Sequence, residues 1–135
     1  MDEARFIEIR SWLLKARQDL QSAEWLISSP DRLYNAVGFH SQQAAEKSLK
    51  AYLTWKDESF EKTHSLIALI GKGLVFDRSF ESLRLAAATL TPYAVGFRYP
   101  GDLPELTQEE AEQAVALGRQ VFEFCLERLP VEACP

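Results

Sequence analysis

Apolar positions recur every three or four residues along most of the chain, which is the period of an α-helix. The first run extends from Phe6 to Ile27 and ends at the sequence SSPDR, whose Pro and Asp stop one helix and start the next. The second run predicts a helix from Leu33 to Trp55. Its contact face carries the small residues Ser41, Ala44, Ser48 and Ala51. Because small side chains let helix backbones approach closely, we predict that this helix is central.

The following segment predicts a short helix and then a longer one, whose apolar period extends from Phe80 to Phe97. A polar connection, KDESFEKTH, leads to a short third helix at about Ser65–Lys72, with Gly73 placed to end it as a C-cap. Asp77 is a suitable cap for a fourth helix. Pro92 lies inside that helix and removes a backbone hydrogen bond, so we expect a kink or an early end near Leu90.

A capping box marks the start of the last helix. The sequence RYPGDLPEL contains enough Pro and Gly to be a loop, and Thr107 and Glu110 follow it at capping-box spacing. The helix is predicted to continue to about Leu129. The chain is therefore predicted to be all-α, an up-and-down four-helix bundle with an additional short helix. Residues 1–129 form this single domain, and residues 130–135 are expected to be a frayed tail.

Composition fits one soluble domain. With 135 residues, 47% hydrophobic and 26% charged, the chain is long enough to bury a core without disulfides or metals. Cys125 and Cys134 have no metal-binding spacing, no run reaches about 18 apolar residues, and the first ten residues do not resemble a secretory signal. We therefore expect a cytoplasmic protein that does not enter membranes.

Charge limits the kinds of ligand. The net charge is −5, and residues 76–135 carry five Lys and Arg against ten Asp and Glu. A nonspecific polyanion binder is normally basic, so any anion site must be local. There is no Gly-rich phosphate loop, and the single ExxH spacing, Glu61 to His64, is too little for a di-iron site. The sequence therefore indicates no cofactor and no metal.

The second helix is unusually rich in hydrogen-bonding groups. His40, Gln43, Lys47 and Lys50 are spaced three, four and three, so they share one stripe of the helix; Gln42 and Glu46 follow a neighbouring stripe. One interpretation is an ordinary solvated face with a Glu46–Lys50 ion pair. The other is a binding site completed by segments from elsewhere in the chain.

Two later segments favour a binding site. Taken together, FHSQQAAEKSLKA, THSL and RYP, with the earlier WLLKARQDLQSAEWL, resemble the HEPN family (higher eukaryotes and prokaryotes nucleotide-binding domain) in order and spacing over about residues 5 to 129. The resemblance implies a helical bundle, frequently a homodimer, with roles in binding nucleotides or RNA. Small members are often encoded beside a minimal nucleotidyltransferase, in toxin–antitoxin arrangements.

The resemblance does not extend to the family's ribonuclease motif. RNA-cleaving members carry an Arg followed by a His after four to six positions near the last helix, whereas no His follows Arg98 in this chain. A residue that exchanges protons near neutral pH is what cleavage at a 2′-hydroxyl most requires. We therefore do not expect an enzyme, although His40 or His64 remains available as a substitute after folding or dimerisation.

The predicted site combines groups suited to a phosphate and a base. We expect nucleotide or RNA to be bound by Lys47, Lys50, His64, Arg98 and Tyr99, supported by Gln43 and Glu46. Arg offers a planar fork for phosphate, Lys a point charge, and Tyr a stacking surface. In the alternative, Arg98 pairs with Glu46 to anchor the RYP turn. A further alternative is a non-catalytic dimerisation or protein-interaction module, which any exposed Trp side chain among the three would favour.

Overall fold

The computed structural model describes residues 3–135, which contain five α-helices and no strand. The helices are α1 (Glu3–Ile27), α2 (Tyr34–Trp55), α3 (Leu66–Leu74), α4 (Arg84–Leu90) and α5 (Gln108–Arg128). Short 3-10 segments occur at Arg78–Leu83, Thr91–Ala94 and Val131–Ala133. The all-α prediction is confirmed. Residues 1 and 2, which the predicted domain includes, lie outside the described residues.

The second helix is central, as its small residues predicted. It contacts all four other helices, and Ala44, Ala45 and Ala51 on it are fully buried. On α5, Gly118 lies so close to α2 that an added Cβ would be 2.9 Å from the backbone oxygen of Ser41. The two helices therefore meet backbone to backbone.

The core has one large and two smaller parts. The large part joins α2, α3, α4 and α5 through Leu49, Leu53, Leu66, Phe80 and Leu90, among others. A smaller part joins α1 to the end of the chain, and a third joins α1, α2 and α5 around Val37. Among residues 3–135, no helix is both long enough and apolar enough to cross a bilayer.

The fourth element differs from the long helix that its periodicity predicted. Asp77 does cap it, accepting a hydrogen bond from the Ser79 amide at 2.9 Å, but the first turns are 3-10 and only Arg84–Leu90 is α-helical. The predicted end near Leu90 is correct, since Pro92 follows within a 3-10 turn. The bundle therefore has three long helices, and a broken segment takes the place of the fourth.

Two predicted ends were wrong. Gly73 does not cap α3, which continues to Leu74; an added Cβ at Gly73 would lie 2.9 Å from the Phe80 ring, so this glycine permits close packing. Residues 130–135 are not a frayed tail. Ala133 is fully buried in the second core part, and the guanidinium of Arg10 donates to the Glu132 carbonyl at 2.7 Å.

Candidate functional site

Glu46 lies at the centre of a buried hydrogen-bond network on α2. Its Oε2 accepts from Nζ of Lys50 at 2.9 Å, and its Oε1 accepts from Nε2 of Gln42 at 3.1 Å. The same Oε1 is 2.9 Å from Nδ1 of His64, whose carbonyl oxygen also accepts from Gln42 at 3.1 Å. The network therefore fastens the connection before α3 to the middle of α2.

The partners of Glu46 keep its carboxyl group ionised. Burial alone raises the pKa of Glu46, but hydrogen bonds from His64, Lys50 and Gln42 outweigh it and bring the pKa below its ordinary value. Lys50 is itself 7% exposed. Its ammonium lies near the rings of Trp12 and Phe60, at 5.6 and 5.7 Å from their centroids, as in cation–π contacts.

A second buried carboxylate joins α1 to α2. Asp19 Oδ1 is 2.9 Å from Nδ1 of His40, and its Oδ2 accepts from Nζ of Lys47 at 2.6 Å. Burial raises the pKa of Asp19, whereas the hydrogen bonds and charges of these two partners lower it below the ordinary value. Both histidines of the chain thus contact a carboxylate that also binds a lysine.

These two carboxylates predict that stability falls in acid. A carboxyl group whose pKa is lowered by folding contributes stability above its unfolded pKa, and this contribution is lost as the pH falls through the folded pKa. For Asp19 and Glu46 the ordinary values are 3.8 and 4.5, so we expect the loss below about pH 4. Urea unfolding of wild type and Glu46→Gln from pH 7 to pH 3 measures it. The free energy of unfolding of Glu46→Gln should fall less steeply with decreasing pH than that of wild type or of the exposed-residue control Glu109→Gln. Equal slopes for all three proteins would contradict the prediction.

Arg98 and Tyr99 lie in an ordered loop beside a cleft. The amide of Leu103 donates to the Gly96 carbonyl at 2.8 Å, and the Tyr99 amide donates to Oδ2 of Asp102 at 3.0 Å. Arg98 lines a cavity of about 400 Å³ at the start of α2. We call this cavity the Arg98 cleft; its other lining residues are Asn35, Ala36, Phe39, Tyr93, Ala94 and Phe97.

The Arg98 side chain is available to a ligand. It is exposed, and within residues 3–135 its guanidinium makes neither a hydrogen bond nor an ion pair. Tyr99 next to it is 71% exposed. The alternative in which Arg98 pairs with Glu46 is therefore not what the structure contains, because both oxygens of that carboxylate bind His64, Gln42 and Lys50 instead.

The structure does not gather the predicted cations at one point. Lys47 and Lys50 lie about 12 and 16 Å further along α2 than Phe39 of the Arg98 cleft, at 1.5 Å per residue. Their ammonium groups bind Asp19 and Glu46. Both lysines therefore act as internal partners of buried carboxylates, and Arg98 is the predicted cation that faces an open cavity.

His64 contacts Glu46, which lies nearer to the Arg98 cleft along α2 than Lys47 and Lys50 do. One stripe of α2 carries Asn35, Phe39, Gln43 and Glu46, spaced four, four and three. Along the helix axis, Glu46 is therefore about 10 Å from Phe39 of the cleft. The His64 side chain is 53% exposed. With Nδ1 held by Glu46, its other ring nitrogen is free to exchange a proton or contact a phosphate. Gln43 donates to Oε1 of Gln42 at 2.7 Å and so supports the network.

The aromatic walls of the cleft were not predicted as site residues. Phe39 is 37% exposed, and the rings of Tyr93 and Phe97 lie 5.5 Å apart. Phe97 continued the apolar period of the fourth helix, so its sequence signal was that of a core residue. Asp19 was also missed; an acid next to the apolar stripe of α1 was the available signal. Within residues 3–135, no three His, Cys, Asp or Glu side chains are grouped to hold a metal.

Comparisons with known proteins agree with this architecture. The HEPN domain family model matches residues 9–129. TT1696 from Thermus thermophilus has a similar crystal structure, with a TM-score of 0.76 and 29% identity, over 91% of this chain and 99% of that one. ST0689, described as an archaeal HEPN homologue, superposes with a TM-score of 0.73 at 21% identity, over 89% and 96% of the two chains. No curated protein matches significantly.

Proposed function

Because the chain belongs to the HEPN domain family, we propose that it binds a nucleotide or RNA at the Arg98 cleft. The observation that carries this proposal is an accessible arginine without a protein partner among residues 3–135, at the edge of a cavity walled by Phe39, Tyr93 and Phe97. Arg matches the geometry of phosphate oxygens, and aromatic faces stack on bases. Tyr99, which is 71% exposed beside Arg98, adds a further stacking surface.

The remaining predicted residues support this site in different ways. His64 extends it along α2, while Glu46, Lys50 and Gln43 hold the His64 ring and its loop in place. Lys47 fixes Asp19 and contributes positive charge near the same helix. The proposal includes a homodimer in the cytoplasm and a minimal nucleotidyltransferase partner of a toxin–antitoxin type, which the family resemblance implies.

We propose binding rather than RNA cleavage. Cleavage at a 2′-hydroxyl requires a proton acceptor at the phosphate that the arginine binds. His64 is oriented by Glu46 as such an acceptor would be, but Glu46 lies about 10 Å along α2 from Phe39 of the Arg98 cleft. Incubation with labelled RNA should therefore give retention without cleavage products.

Replacement of Arg98 tests the proposal. We expect Arg98→Ala to weaken binding of RNA and of uridine monophosphate about 10- to 100-fold, because hydrogen bonds from a charged group contribute about 1.5–3 kcal/mol. Arg78→Ala is the matched control, since Arg78 is also exposed but precedes α4. Isothermal titration with both variants measures the effect. Equal affinity for wild type and a folded Arg98→Ala variant would remove Arg98 from the ligand site.

A second candidate function is a non-catalytic interaction module. Several large apolar side chains are well exposed, including Trp25 at 80%, Val75 at 81% and Leu85 at 66%. Aromatic residues are enriched in the cores of protein interfaces. Light scattering after size exclusion distinguishes the two functions: a dimer without affinity for nucleotides or RNA would favour the interaction module.

A further inference from the structure

We propose that Trp25 forms a second base-binding subsite, so that this surface receives a single-stranded oligonucleotide. The inference deepens the proposed function and rests on it. It concerns a cavity on the α1 side of α2, which the predicted site residues do not include. Three features of the molecule carry it: the exposure of Trp25, the polar groups around its ring, and the position of its cavity next to the Arg98 cleft.

Trp25 is exposed beside an open cavity. Its side chain is 80% exposed near the end of α1, and it lines a cavity of about 650 Å³. The other lining residues are Gln18, Gln21, Ser22, Leu26 and His40. A tryptophan that presents its ring to solvent in this way is a platform on which a base stacks without regard to its identity.

Polar side chains around the ring have unused hydrogen-bonding capacity. Gln18, Gln21 and Ser22 make no side-chain hydrogen bond with any residue in the described part of the chain. An amide side chain offers both a donor and an acceptor, which suits the edge of a base. The cavity therefore combines a stacking face with free hydrogen-bonding groups, whereas the core of a protein interface is predominantly apolar.

The Trp25 cavity and the Arg98 cleft are lined by two adjacent residues of α2. His40 lines the first cavity and Phe39 lines the second. Their rings contact edge to face, with centroids 5.3 Å apart. Nδ1 of His40 is held by Asp19 at 2.9 Å, so its ring is fixed at the boundary. A chain of bases that enters the Arg98 cleft can therefore cross Phe39 and His40 and reach Trp25.

Positive charge accompanies this path. Lys15, Gln18 and Ser22 are spaced three and four on α1, so Lys15 lies one turn from the cavity on the same stripe. Asp19 holds the ammonium of Lys47 at the α1–α2 contact, so the charge available to a ligand is that of the exposed Lys15. Lysine point charges of this kind neutralise backbone phosphates without reading sequence. Two separate cavities with aromatic lining residues fit an oligonucleotide, which offers more than one base.

The test compares a short oligonucleotide with a mononucleotide. We expect fluorescein-labelled hexauridylate to bind wild type more tightly than uridine monophosphate does. Trp25→Ala should weaken hexauridylate binding about 5- to 100-fold, the value of one stacked base, and should leave the monophosphate affinity within about twofold. Trp25→Phe should retain most of the affinity. Leu85→Ala, another exposed apolar residue, is the control and should have no effect.

The outcomes separate this inference from the proposed function. If Trp25→Ala leaves hexauridylate affinity unchanged while Arg98→Ala weakens monophosphate binding, the second subsite is overturned and the proposed function stands. If Trp25→Ala weakens hexauridylate binding but Arg98→Ala has no effect, the subsite stands and the proposed role of Arg98 fails. If Trp25→Ala converts a dimer to a monomer in light scattering without changing hexauridylate affinity, Trp25 is a protein contact and the inference is overturned.

Discussion

Replacing Glu46 by alanine is expected to lower the free energy of unfolding by about 3–5 kcal/mol, the cost of breaking a buried ion pair. The carboxylate is 4% exposed and accepts from Lys50, Gln42 and His64. Its removal leaves the ammonium of Lys50 buried beside two aromatic rings without a counter-charge. It also releases the connection before α3. Urea unfolding at pH 7 measures the change.

Two variants show whether the effect comes from the buried charge. Glu81→Ala removes an exposed carboxylate that pairs with Arg84, so it should lower the free energy of unfolding far less than Glu46→Ala does. Glu46→Ala combined with Lys50→Met removes both charges and should recover part of the loss, because an uncharged side chain of similar length fills the space. If the double variant loses as much free energy of unfolding as Glu46→Ala and Lys50→Met lose together, the unpaired lysine charge is not the cause.

Local rules explain how much of the fold the sequence predicted. The apolar period, the capping residues and the proline positions depend on neighbours in the chain. The sequence therefore sufficed to predict α1, α2, α5 and the end of a helix near Leu90. Gly73 was misassigned because its role depends on Phe80, which reaches it only after folding. The same holds for the chain end, where Ala133 packs against Ile9 and Leu13 of the first helix.

The candidate site was harder to predict from the sequence, because the partner of each charged side chain depends on tertiary contacts. The sequence places His40, Gln43, Lys47 and Lys50 on one stripe, but Asp19 of α1 binds two of them, His40 and Lys47, after folding. The Glu46–Lys50 pair was one interpretation of the i,i+4 spacing within α2, but that interpretation placed it on a solvated face, whereas the pair is buried. For Arg98 the sequence left two alternatives, a ligand or Glu46, and in the structure Glu46 is bound by other residues. Of the aromatic residues that line the Arg98 cleft, Phe97 had the apolar period of a core residue, so its sequence pattern did not indicate a site.

The backbone contact between α2 and α5 gives the second large expected effect. At Gly118 of α5, an added Cβ would lie 2.9 Å from the Ser41 backbone oxygen and 3.3 Å from its Cα. Backbone atoms of a central helix cannot move aside as a flexible side chain does, so valine at this position forces α2 and α5 apart. We expect Gly118→Val to lower the free energy of unfolding by about 3 kcal/mol or more, the upper part of the range for overpacked cores.

Gly71 of α3 is the matched control for this prediction. It is also a helical glycine, but an added Cβ there meets nothing within 4 Å. Gly71→Val therefore changes the backbone preference alone, by a few tenths of a kcal/mol in favour of the helix. The difference between the two variants in thermal or urea unfolding isolates the steric cost of separating α2 from α5. If both variants have the same stability, the backbone contact does not limit the packing of α2, and its small residues need another explanation.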